Sequence, residues 1–168
     1  LDKGNATDRG NAYLMSLISQ LAYKSDKNKD KRSKLLGALG LEHCHFGSTE
    51  RKNVDTEFNV FNSSRVTYLA FRGSESGLGK KLKDTELVKD WIKTDFAAEK
   101  TEAAKKWGNN IKVHGGIYRA MKRAANDQDI VNTVKDCMSK GLNKGEQRAL
   151  FITGHSLGGG LALLAAYE

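Results

Sequence analysis

The residues best suited to chemistry are Gly154-His155-Ser156-Leu157-Gly158, a Gly-x-Ser-x-Gly pentad followed by Gly159 and Gly160. Phe151-Ile152-Thr153 leads into it as an apolar, β-prone run, and Leu161-Ala162-Leu163-Leu164-Ala165-Ala166 leaves it as a helix-prone one. A serine on a tight turn between a buried strand and a helix is held in a strained backbone conformation. Side chains two residues to either side would collide with neighbouring backbone. Gly154 and Gly158 remove those collisions. The Ser156 hydroxyl is then expected to project clear of the sheet, while the helix behind it offers unpaired N–H groups and the positive end of its dipole. Such a spot suits a serine that attacks a carbonyl and a developing oxyanion that must be stabilised. A glycine cluster before a helix can also be a plain turn or a phosphate-binding loop. No Lys-Ser or Lys-Thr follows these glycines, and Ser156-Leu157 interrupts any Gly-x-Gly-x-x-Gly spacing from Gly154, so the phosphate reading is set aside.

What must position that turn is a chain of 168 residues, 39% hydrophobic and 29% charged, which suits one domain with a real core. The longest uncharged apolar run, Leu161 to Tyr167, is far short of the roughly 20 residues of a spanning helix. The chain starts at Leu1 without a charged-then-apolar leader, so a targeting segment is expected to be missing, removed or never to have existed, and compartment is unread. The net charge of +8 comes from lysine-rich clusters at 24–34, 80–83, 105–106 and 122–123. Solvated surface accounts for most such clusters; attraction to an anionic membrane face is the functional alternative. Nucleic acid is not expected as a partner, because the basic runs lack the interleaved aromatics that base stacking uses. Cys44 and Cys137 could pair once, but the low cysteine usage favours free thiols.

Ahead of the pentad the elements follow in order. Ala12, Leu14, Met15, Ile18, Leu21 and Ala22 recur at helical spacing as far as Tyr23. Lys24 to Lys34 reads as a solvated loop or helix end, and Leu35-Leu36 with Leu39 and Leu41 as a short helix interrupted by Gly37 and Gly40. His43-Cys44-His45 puts two imidazoles on the same side of a strand, but further ligands at metal spacing are missing, so no metal is expected. Glu57 to Phe61 and Arg65 to Phe71 read as a hairpin around Asn62-Ser63-Ser64, the second strand buried on both faces. Leu87, Val88, Trp91 and Ile92 form one helical stripe, either a surface helix or a mobile flap over a site. Ile111 to His114 is a short strand before a long helix with a possible break at Asp127 to Asp129, closed by Gly141 and Gly145. One α/β layer structure fits this order.

Four separated blocks in this order, Phe71-Arg72-Gly73-Ser74, Asp90-Trp91-Ile92, Val113-His114-Gly115-Gly116-Ile117-Tyr118 and Gly154-His155-Ser156-Leu157-Gly158-Gly159, together resemble the fungal-type, or class 3, lipases of the α/β-hydrolase fold. The resemblance covers roughly residues 12 to 168. It implies a mostly parallel central sheet flanked by helices, and a serine ester hydrolase of lipase or phospholipase type that works without a cofactor. Ser156 is implied as the acyl-forming nucleophile, with the N–H groups of Ser74 and Leu157 as the oxyanion hole and the Ser74 hydroxyl assisting. Residues from about 75 to 93 match the family's lid, with Trp91 its tryptophan, and His114 and His155 match positions that are structural. Arg72 is expected to fix its loop by ion pairing rather than to touch substrate. The family's acidic brace of the oxyanion loop falls on Thr94 here, and Asp95, one residue further on, is the available substitute.

In the family the triad's Asp and His follow the serine by many tens of residues. Residues 1–168 are therefore expected to be a single incomplete hydrolase domain, whose remainder, with the acid and the base, lies outside this chain or in a second chain. Lipid ester is the implied substrate, the basic surface tilting it toward a phospholipid at an anionic membrane surface. Secretion is the compartment the resemblance favours. The rival readings are a lipase-like binding module that has lost catalysis, and a basic fragment, contacting membrane or nucleic acid, in which the pentad is incidental.

Overall fold

The computed structural model describes residues 9–23, 29–48, 56–73, 100–102, 111–127 and 129–167. The expected flap and Ser74, Trp91 and Asp95 lie outside these residues.

Helix α1, Arg9–Leu21, buries Ile18 and Leu21 on the stripe its spacing predicts. Helix α2, Lys29–Ala38, begins inside the charged block and runs through Gly37, so the later part of the block that reads as loop or helix end belongs to the same helix as Leu35-Leu36. Its inner side is carried by Leu36, while Ser33 and Lys34 stay in solvent. Strands β1, Glu42–Ser48, β2, Glu57–Asn62, and β3, Val66–Phe71, then form an antiparallel meander. The β2–β3 turn closes on Ser63, whose N–H donates to the Val66 carbonyl at 2.8 Å and whose hydroxyl accepts from the Val66 N–H at 3.0 Å. Every residue of β3 is buried, because helices cover both faces of the sheet.

Strand β4, Lys100–Glu102, was not anticipated; it pairs with β5, Lys112–His114, in a separate two-stranded ribbon. The expected long helix is two, α3, Gly115–Asp127, and α4, Ile130–Ser139, with Asp129 at φ 46° making the break. Strand β6, Ala149–Gly154, lies parallel beside β3, and α5, Leu157–Ala165, follows it. The main sheet has the order β1-β2-β3-β6 and is flanked by helices on both faces, as the α/β class requires; over the described residues it is mixed rather than mostly parallel, with only β3 and β6 parallel. On one face Phe58, Val60, Leu69 and Phe71 pack with α3, α4 and α5; on the other Phe61, Val66, Tyr68 and Ala70 pack with α1 and α2.

Two expectations about the cysteines and histidines are overturned. Cys44 and Cys137 form a disulfide, their Cα atoms 6.0 Å apart. Sequence carries no such distance. What makes it short is a β-bulge in β1 between His43 and His45, which turns Cys44 toward the face where α4 packs. The same bulge separates the two imidazoles: His43 rests on Phe61 and His45 stacks on Phe58, side chains of opposite faces. Among the described residues no cluster of His, Cys, Asp and Glu is placed to hold a metal ion, and no helix is long and apolar enough to cross a membrane.

Candidate active site

The parallel pairing of β3 with β6 sets the site. Its register places Phe71 opposite Gly154, so both strands end at the same level and both following loops leave from the same edge of the sheet. In an open α/β sheet that carboxyl-terminal edge is where ligands bind.

From Gly154 the chain turns sharply. Ser156 sits at φ 56°, ψ −123°, a region that costs a non-glycine residue roughly 1–3 kcal/mol and that only surrounding structure can enforce. Its side chain is exposed. The turn is fastened by the Gly158 N–H donating to the His155 carbonyl and the Gly159 N–H to the Ser156 carbonyl, both at 2.9 Å. Leu157, one residue earlier, opens α5 and packs its side chain on the core beneath. The two flanking glycines are there for want of space. A β-carbon at Gly154 would overlap the Gly158 carbonyl, and one at Gly158 would overlap the Phe71 carbonyl.

The β3 loop is held as tightly. Arg72 pairs with Glu57 of β2, as expected of an arginine that fixes a loop, and its N–H donates to the Glu57 carbonyl at 2.9 Å. Gly73 is buried, and a β-carbon there would overlap both the His155 carbonyl and the Tyr23 hydroxyl. The residue immediately before Ser74 therefore touches the residue immediately before Ser156. Tyr23, just past the end of α1, accepts a hydrogen bond from the Gly73 N–H at 3.0 Å and meets His155 Nδ1 at 3.0 Å. The Arg72 guanidinium lies over its ring, 5.7 Å from the centroid. Sequence reasoning missed Tyr23. It is 50 residues from Gly73 and 132 from His155, and no motif surrounds it. His114 ends β5 at the start of α3, whose Ile117 packs under Gly160 of α5.

Strand, strained serine turn and helix, with a second loop pressed against the turn, are accompanied by a family-level match: the profile of the family described as lipase (class 3) fits residues 68–168. The chain belongs to the class 3 lipase family. Solved structures agree on the fold. The native Rhizomucor miehei lipase propeptide complex is 23% identical with a TM-score of 0.58, covering 97% of this chain and 48% of that one. The lipase from Rhizopus microsporus var. chinensis is 18% identical with a TM-score of 0.60, covering 94% and 50%. Lip2 lipase from Yarrowia lipolytica is 17% identical with a TM-score of 0.62, covering 95% and 54%. This class 3 lipase chain thus spans about half the length of the lipases it matches. No curated protein sequence matches it significantly.

Proposed function

We propose that this chain supplies the nucleophile and oxyanion-binding part of a serine ester hydrolase acting on lipid. Ser156 Oγ attacks an ester carbonyl and forms an acyl-enzyme. The N–H groups of Leu157 and Ser74 receive the oxyanion, with the Ser74 hydroxyl assisting. The base that takes the serine proton and the acid that orients it come from the remainder of the domain, outside these residues. Residues 75 to 93, with Trp91, are proposed as the lid, and Asp95 as the brace of the loop after Ser74. The basic surface favours substrate presented at an anionic lipid interface, phospholipid included. The Cys44–Cys137 disulfide supports maturation in an oxidising compartment, in keeping with secretion.

The observation that carries this reading is Ser156 at φ 56° between β6 and α5, beside the end of β3. Such a strained, exposed serine between a strand and a helix is what a nucleophile raised above the sheet requires. The test is covalent. In the full-length protein a fluorophosphonate should label one residue, Ser156, and Ser156→Ala should abolish both labelling and esterase activity while the thermal transition is retained. A folded protein that takes up no probe would end the hydrolase reading.

A further inference from the structure

We propose that Tyr23 is a positioning residue for this hydrolysis, its hydroxyl locking the loop that begins at Gly73 against the turn at His155. The proposal rests on the reading of Ser156 as nucleophile and goes on to say what keeps the two halves of its site in register.

The geometry is that of a bridge with one atom at its centre. Tyr23 Oη accepts from the Gly73 N–H and lies 3.0 Å from His155 Nδ1. Gly73 donates to the phenol oxygen, whose own proton is free to be given to Nδ1 in the imidazole tautomer that carries its proton on Nε2. Each of its two partners is one peptide unit from a reacting group: Gly73 precedes Ser74, and His155 precedes Ser156. The ring itself is held by a different set of contacts, edge-on to the His155 ring at 5.8 Å between centroids and beneath the Arg72 guanidinium, which Glu57 neutralises. Ring and hydroxyl therefore have separable jobs. Packing needs the ring; the register of the two loops needs the oxygen. Donors to an oxyanion must lie within a few tenths of an ångström of its position, so a tie that fixes both loops acts on the transition state more than on the ground state.

Tyr23→Phe in the full-length enzyme separates these jobs. On a soluble short-chain ester kcat should fall roughly tenfold to a hundredfold with KM nearly unchanged, and the rate of fluorophosphonate capture should fall in parallel. The thermal midpoint should change little. From the other end of the bridge, His155→Asn keeps an acceptor for the tyrosine proton at the place of Nδ1 and His155→Leu does not, so the leucine variant should lose more of kcat than the asparagine variant. A Tyr23→Phe enzyme with wild-type kcat and capture rate would overturn the proposal. So would equal losses in the two His155 variants, or a Tyr23→Phe loss that only tracks a lowered thermal midpoint. Should Tyr23→Phe not fold, the His155 pair decides alone. Activity that survives Ser156→Ala strikes the nucleophile reading instead, and the two failures are told apart.

Discussion

Gly158, the second residue of α5, sits against the carbonyl of Phe71, the last residue of β3, with the Phe71 carbonyl carbon only 2.9 Å from where a β-carbon would stand. The close approach ties the start of the helix to the neighbouring strand. Gly158→Ala must push α5 away from β3, and because backbone carbonyl cannot swing aside like a side chain, the cost should be about 1–3 kcal/mol of stability. The displaced Leu157 amide should also cut fluorophosphonate capture. Denaturant unfolding together with probe kinetics checks both.

Gly37 gives the opposite expectation. It lies inside α2, and nothing stands within 4 Å of where its β-carbon would be. Gly37→Ala should therefore stabilise the fold by about 0.5–1 kcal/mol through the helix and the unfolded chain, without a change in esterase rate. A destabilised variant in thermal unfolding would mean that α2 is not helical at this position.

The disulfide joins the outer strand β1 to α4 across a sequence separation of 93 residues. A loop of that length should lose roughly 4–5 kcal/mol of stability on removal of the cross-link, by the chain-entropy account. Cys44→Ser with Cys137→Ser should show this in urea titration, and reductant should shift the wild type to the same midpoint. If reductant leaves the midpoint in place, the two sulfurs are not joined in solution.

Much of this was legible because it is local. The strained turn at Ser156 follows from a strand, two glycines and a helix written next to one another, and the buried β3 from six residues without polar alternation. What escaped depends on meetings across the fold. Cys44 reaches Cys137 through a bulge that one extra residue introduces into β1, and neither a composition nor a spacing encodes a bulge. Tyr23 enters the site because α1 ends near the edge where β3 and β6 stop together. The charged start of α2 left loop and helix end open for a different reason. Charged residues such as Lys29, Asp30 and Lys34 suit either, and only Leu36 and its neighbours had to face the core for a helix to form there.

Asn62 closes a polar link inside the core. Its amide donates to the Cys137 carbonyl at 2.7 Å and accepts from the Thr67 hydroxyl at 2.8 Å, both buried. Beside it Arg148 reaches the Ser63, Met138 and Lys140 carbonyls, so hairpin, end of α4 and entry to β6 are clasped together. Asn62→Leu strands a carbonyl and a hydroxyl without partners and should cost about 2–6 kcal/mol in chemical denaturation, at a stranded-group penalty of about 1–3 kcal/mol each. Asn62→Leu combined with Thr67→Val should recover part of that loss, since one of the two stranded groups is then gone.

Tyr68 bears on the alkaline limit of the fold. Its ring is fully buried beside Phe151, and its hydroxyl has no hydrogen-bond partner among the described residues. Burial pushes its pKa above the ordinary 10.0 and outweighs the smaller, opposing influence of the Ser63 side chain. The folded state thus holds the phenol proton more tightly than the unfolded chain does. Stability from this group is intact below about pH 10 and drains away as pH rises toward the folded-state value, because phenolate is accommodated only after unfolding. Tyr68→Phe removes both the stranded hydroxyl and the titration, so it should be neutral or slightly stabilising near neutral pH and should flatten the fall in thermal midpoint above about pH 10. Midpoints of the two proteins that decline in parallel across that range would place the alkaline sensitivity elsewhere.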